Sequence, residues 1–557
     1  MARFPESALR TLLISAREFA QAHPALAGRL GRPSSEPQVE RFRQGLFHLG
    51  ATLLEQSRRF EGESYRALGE LVAPDLSRPF PAATLVELSD ASHATHVPAG
   101  ALVHTPSGCI FTLAAGVDLG PYRAERARLT SEGLSFDLAA TAAVPLAHAV
   151  GDDLRIYVDG PRESALALVE HVLRHTASVT IELPGAQVRK SVKAAEPYGL
   201  RAEDALAPEP DGPPTGAQFL REYFLLPQKF AFFRLPAVRA ALRGAGARAT
   251  VTLRFDAPIP TRGTLGEDDL RVHAVPATNL FRATSEPRTV DPAMSRFPLR
   301  VAGFSRERAS VYAVTRVAAV RRDGGGPSIV VPPLRRFAAA AAPGEFPYAF
   351  STELVKFRGR PEPDLVVSIT SPHGEKPLLE PHVLMVDLLA THRDRAADLR
   401  PGDRLEGGPG IPHGARIRSL TPASPYVPAP AGPEFALHAL HRGAVPQRDP
   451  RASLQRLLLG RLPRQGVDPA LVRANLARIR AIEALDVSIA SRGAHRGYRA
   501  TLTLDETSFR GQGDVALFAR VLHAVLDAQT SLNRFYECDI LCKRSGSTVR
   551  WPRSVRS

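Results

Sequence analysis

Two histidine groups, two glycine groups and three cysteines are the places in this 557-residue chain where residue type and spacing could carry chemistry. His93 and His96, with His104 further on, have imidazoles spaced for zinc, but they lie in loop and strand without a His-Glu-x-x-His helix or an acidic partner. Asp387, His392 and Asp394 offer a base with an orienting carboxylate. No Gly-x-Ser-x-Gly elbow or equivalent supplies a nucleophile, so they read as strand-end surface residues. Gly324 to Gly326 and Gly407 to Gly410 lack the following Lys-Ser/Thr of a phosphate-cradling loop and read as turns. Cys109, Cys538 and Cys542 are too few for a disulfide framework, and the Cys538/Cys542 pair, on a helix-like segment, lacks a second pair for zinc. The expectation is a chain with no catalytic residue, metal or cofactor.

The densest chemistry is instead apolar. Phe219 to Leu235 holds five Phe residues in a chain whose aromatic content is only 6%, which concentrates large side chains at one place. The turn-forming Pro208-Glu-Pro-Asp-Gly-Pro-Pro-Thr-Gly216 makes the segment start afresh. Gln218 to Leu226 can form two helical turns; Pro227 interrupts them, and Lys229 to Leu235 enters a strand or buried turn. Clustered aromatics are ordinarily core. With Lys229 and Arg234 alternating among them, they also fit a domain or subunit boundary, where aromatics and Arg are enriched. Tyr223, Phe224, Lys229, Phe230, Phe232 and Phe233 are therefore candidate interface residues.

Around this junction the chain divides by composition. Residues 1–75 read as three helices, with Leu9, Leu12, Leu13, Ala16, Phe19 and Ala20 on one face of the first and Val39, Phe42, Leu46, Leu49 and Leu53 on the second. They form either a cap on a β-rich body or a bundle offering an apolar face to a partner helix. Residues 76–207 read as short strands at Thr84–Leu88, Ala101–His104, Cys109–Leu113 and Leu154–Val158, with one helix from Ala165 to His175. A central domain at 217–320 carries the junction and an alternating strand at Arg248–Phe255. A loop-rich β domain follows at 321–433, with strands at Leu365–Thr370 and Val383–Leu389. The last unit, 434–557, mixes a hairpin with an amphipathic helix, Asp514–Ala528, entered through a flexible Gly513. The fold class is α+β, multidomain and β-rich in the middle.

The net charge of +14 invites a nucleic-acid reading, since clustered cations gain affinity for phosphate by releasing counterions. Only six of the 71 basic residues are Lys, and the Arg residues are spread among acids along the whole chain. That distribution disfavours nucleic acid and favours acidic protein partners. No window reaches the ~18–20 consecutive apolar residues of a membrane span, and Met1 to Ala20 is amphipathic, unlike a signal peptide. The expected location is cytoplasmic.

Several motifs resemble one family in collinear order: Arg17-Glu-Phe-Ala20, Leu154-Arg-Ile-Tyr-Val-Asp-Gly160, Arg221-Glu-Tyr-Phe224 through Lys229-Phe-Ala-Phe-Phe233, Asn279-Leu-Phe281, Thr391-His-Arg-Asp394, Gly511-Gln-Gly-Asp-Val-Ala-Leu-Phe518 and Ser531-Leu-Asn-Arg-Phe535. Together the chain resembles TssF, a baseplate subunit of the bacterial type VI secretion system, from near residue 17 to 535. It departs at His392, where the family pattern has Asn. The resemblance implies a non-enzymatic wedge subunit, two copies joining one TssG, meeting TssK and TssE around a hub that carries the VgrG spike, and serving as platform for the contractile sheath. It also implies a baseplate docked to the inner-membrane complex, without membrane insertion, and adds Asn279 and Phe281 to the interface candidates. The alternatives are a wedge protein of a related phage-tail-like injection particle, a β-rich hydrolase, and an Arg-rich nucleic-acid binder.

Overall fold

In the computed structural model the chain divides into two compact units, Met1–Ser77 with Pro430–Arg442, and Arg78–Ala429 with Gly443–Ser557. The structure describes residues 78–429 and 449–555, apart from 184–187, 193, 208–216, 260–264, 290–295, 322–327, 334–348, 356–363, 371–381, 493–494, 529–533 and 551–553. In the first unit it describes only scattered helical positions between 18 and 53. Most of the expected N-terminal helices therefore lies outside the described residues.

The second unit is organised by strands whose apolar residues alternate inward. A closed barrel runs in the spatial order Ala83–Ser89, Ala274–Thr278, Ile110–Leu113, Leu102–His104, Arg404–Gly407, Arg416–Ser419. Closure leaves these strands no free edge, and Val86, Val103, Phe111, Val275 and Ile417 fill the interior. Its strands come from three distant stretches of sequence.

Beside it, a five-stranded antiparallel sheet joins Val188–Val192, Thr176–Leu183, Arg248–Phe255, Gly133–Ala140 and Tyr122–Leu129. A four-stranded sheet joins Glu196–Pro197, Phe232–Leu235, Leu154–Val158 and Leu270–Arg271. The helix Arg162–His175 buries Leu166, Val169 and Val172 in the same large core. Two further sheets share a core of Phe297, Val317, Phe350, Val367 and Leu384: one contains Ser310–Arg321 and His382–Thr391, the other Ala349–Val355 and Asp364–Thr370.

At the C-terminal end, Ile482–Arg492 and His495–Leu504 form a hairpin. Arg534–Cys542 then pairs parallel to the second strand, across a connection made by the helix Gly511–Ala528. A parallel pair needs such a crossover. This corrects one expectation: Cys538 and Cys542 lie on a strand, four residues apart and so on one face, and both are buried. Alternation of Tyr536, Cys538 and Ile540 with the acidic Glu537 and Asp539 was the signal for it.

Candidate functional site: the Phe-rich junction and its supports

The junction folds as a helix, Ala217–Leu225, one 3-10 turn, Pro227–Phe230, and the strand Phe232–Leu235. Pro227 opens the turn where its missing N–H costs no helical bond. Strand register sets Phe232 against Tyr157, Phe233 against Ile156, and Arg234 against Arg155. Alternation then sends Phe233 and Leu235 to one face and Phe232 and Arg234 to the other. Phe232 lies 4.9 Å from the Tyr157 ring and 5.1 Å from Tyr198. Tyr223, Phe224, Lys229, Phe230, Phe232 and Phe233 are each 1% exposed or less, so they lie in the interior of the chain.

A charge inside such a core needs a partner. Lys229 Nζ donates to Glu222 Oε2, with both side chains fully enclosed. Glu222 Oε1 also accepts from the Leu206 amide at 2.9 Å. Burial pushes the Glu222 carboxyl up, and Lys229 opposes that shift. The ammonium sits 5.1 Å from the Phe219 ring and 5.3 Å from Phe230, where ring quadrupoles favour a cation.

A second charge ties the junction helix to the C-terminal region. Asp514 Oδ1 accepts from the Tyr223 hydroxyl at 3.1 Å and Arg162 at 3.2 Å, and its Oδ2 accepts from Arg478 at 2.7 Å and the Arg510 amide at 3.1 Å. Arg478 continues to Asn475, whose amide donates to the Phe224 carbonyl at 3.2 Å. Gly513, expected as a flexible entry, is instead a crossing point: a Cβ there would lie 2.4 Å from the backbone nitrogen of Ala167. Only glycine lets these two helices meet backbone to backbone. Two turns on, Arg520 pairs with Glu170 at 2.9 Å. The Gly-x-Gly-Asp segment is thus a crossing followed by an anchor.

Asn279 and Phe281 form a separate seam between the barrel and the sheet containing His382–Thr391. The Asn279 amide donates to Ile110 O at 2.6 Å, and its Oδ1 accepts from Thr391 Oγ1 at 2.9 Å and the His392 amide at 2.7 Å. The His392 ring stacks on Phe281 at 4.8 Å. Its Nδ1–H donates to Arg308 O at 2.6 Å, and burial lowers its pKa. Imidazole thus supplies an N–H donor at the position where the family pattern has an amide. Two motifs more than a hundred residues apart meet here.

The remaining candidates disperse. Asp387 lies 3.8 Å from Arg316 and Asp394 is exposed, away from the enclosed His392 ring. His93 bonds Ser92, and His96 bonds Asp118 at 2.7 Å. Among the described residues no three His, Cys, Asp or Glu side chains converge as a metal-binding group, and no helix is long and apolar enough to cross a membrane.

Interior charges locked in pairs, helices crossing at contact distance and a barrel fastened to its neighbouring sheet through Asn279 make a cross-braced framework. The family model described as "Type VI secretion system, TssF" matches residues 3–557, and the chain belongs to that family. A relative from Pseudomonas aeruginosa, type VI secretion system component TssF1, is 26% identical, covering 96% of each chain. A solved chain from a TssK-TssF-TssG baseplate subcomplex of the type VI secretion system superposes with a TM-score of 0.78 at 22% identity, covering 93% of this chain and 99% of that one. A chain from a type VI baseplate complex gives a TM-score of 0.60 at 20% identity, covering 99% of both.

Proposed function

We infer that this chain works as a structural wedge subunit, holding its shape through the junction while its surfaces meet other subunits. As a TssF-family member it is a baseplate subunit of the type VI secretion system. The reading is carried by family membership over residues 3–557. The partners follow from it: TssG, with two TssF-like chains to one TssG, then TssK and TssE, around a VgrG-type hub, with sheath proteins assembling on the platform. The location is the cytoplasmic face of the inner-membrane complex. A structural observation favours helix-mediated contact. Leu49 and Leu53, four apart on helical positions and so on one face, are 60% and 58% exposed. The buried Tyr223, Phe224, Lys229, Phe230, Phe232, Phe233, Asn279 and Phe281 contribute to assembly by fixing the shape beneath the contact surfaces.

The test is co-expression with the TssG-type protein of the same source, followed by size-exclusion chromatography with light scattering. The expected result is a co-eluting complex of two copies to one, weakened when Leu49 and Leu53 are changed to Ser. Wild-type chains that never co-elute at micromolar concentration overturn the reading.

A further inference from the structure

Two helices near the C-terminal end, Pro450–Arg461 and Pro469–Arg480, form an antiparallel hairpin. Gln455 donates to the Ile479 and Ile482 carbonyls, each at 3.2 Å, and Arg451 Nε donates to Ile482 O at 3.1 Å, so the first helix starts beside the end of the second. Inward, Leu454, Leu457, Leu458 and Ile479 join the large core. Outward, the hairpin is cationic. From Asp449 to Arg480 the sequence holds seven Arg and two Asp, with no Lys, Glu or aromatic residue.

Two of those arginines belong to the interior: Arg478 turns inward to Asp514, and Arg461 is buried. The other five, Arg451, Arg456, Arg464, Arg473 and Arg480, are exposed. Arg451 and Arg456 bond neutral groups, the Ile482 carbonyl and the Ser453 hydroxyl, and among the described residues no carboxylate stands at ion-pairing distance from any of the five. The two Asp of the hairpin are its N-caps. Asp449 accepts from the Ala452 amide at 3.0 Å and Asp468 from the Ala470 amide at 2.8 Å, which fixes each at a helix start. Five exposed cations against two fixed carboxylates leave a surface whose missing complement is negative.

The form of the surface selects the kind of anion. Arg473 and Arg480, seven residues apart, share a ridge facing away from the buried Asn475, Arg478 and Ile479. Along the axis they are about 10 Å apart, the rise of two turns of a facing helix or of about three extended residues. With no aromatic side chain, the hairpin offers bases nothing to stack on. The exposed Ala470 and Ala477 beside the ridge give a lipid surface no large apolar group to take up. Guanidinium forks instead match carboxylates, which they bind in pairs of parallel hydrogen bonds.

We propose that the outer surface of this hairpin docks an acidic segment of a partner protein, whose Asp or Glu side chains meet Arg473 and Arg480 along the ridge and Arg451 at its end. The inference rests on the assembly reading above. Docking there also places the partner over Asn475 and Arg478, which tie the same helix to Phe224 and Asp514.

The experiment uses the full chain with the TssG-type, TssK-type and TssE-type proteins of the same source. In the wild-type complex, modification of Arg473 and Arg480 by phenylglyoxal, read by peptide mass spectrometry, is expected to slow at least tenfold relative to the free chain. The double variant Arg473→Glu, Arg480→Glu is expected to weaken binding of one partner about 100-fold at low salt, because it sets like charges face to face. A wild-type complex in which both arginines react as fast as in the free chain overturns the inference alone. So does a 30-base-pair DNA duplex or a vesicle of anionic lipid that binds the wild type at micromolar concentration and not the double variant, while all three proteins bind both alike. Absence of any wild-type complex overturns the assembly reading and this inference with it. If the double variant fails to fold, the wild-type protection measurement decides.

Discussion

The junction and the barrel seam hold distant segments together by different means. At the junction, Asp514 gathers Arg162, Arg478 and Tyr223, and Glu222 meets Lys229, all at charged groups removed from water. At the seam, Asn279 gathers Ile110, Thr391 and His392 with neutral bonds. Each hub links segments far apart in sequence. The difference lies in how each fails. A buried ion pair adds little over a well-packed apolar replacement, yet removing one partner strands a charge, whereas a neutral hub loses only its hydrogen bonds.

The largest effect is therefore expected at Asp514. Asp514→Ala leaves two guanidinium groups enclosed without their carboxylate and should cost about 3–5 kcal/mol. Hydrogen exchange along Gly511–Ala528 would show it as lost protection, and unchanged exchange there would end the claim that this residue clamps the helix. Asn279→Ala leaves three partners unsatisfied and should cost about 2–3 kcal/mol, read as faster exchange at the Thr391 and His392 amides. A loss as large as that at Asp514 would erase the contrast between the two regions.

Acid sharpens the comparison at the neutral side. His273, immediately ahead of the barrel strand Ala274–Thr278, accepts from the Gly120 amide through Nε2. Burial, with Arg155 nearby, pushes its pKa down to about 3. The folded state thus favours neutral imidazole, and below the unfolded value near 6.5 the unfolded chain binds the extra proton. Stability present above pH 6.5 should fall by about 2 kcal/mol at pH 5 through this group, and His392, lowered by burial, acts in the same direction. Urea titrations of the wild type and His273→Gln should converge as pH falls; parallel curves would remove His273 from the account.

The local elements were legible because alternation and turn residues are local signals. Leu154–Val158 and Arg248–Phe255 stand where their patterning placed them, and Pro227 breaks the junction. Gly513 misled because a glycine at a helix start is as compatible with freedom as with crowding, and only the neighbouring helix decides. The Cys538/Cys542 spacing fits a helical turn as well as a strand face. The role of Asp514 depends on Tyr223 and Arg162, 291 and 352 residues away, and that of Arg478 on Asp514, 36 residues on, separations that no short window of sequence contains. The seam was half legible: the Asn279 and Thr391 motifs were visible singly, but their meeting was not.

Barrel closure also sets a timetable for synthesis. The strands up to Leu113 emerge early, while Arg404–Gly407 and Arg416–Ser419 follow about 300 residues later. At about 5–20 residues per second, the nascent chain carries an unclosed sheet for roughly 15–60 s. During that interval the side chains of Val86, Val103 and Phe111, sealed in the finished barrel, lie open to chaperones and to neighbouring chains on the same polysome. Any stop codon before residue 416 would release a chain that cannot close its barrel.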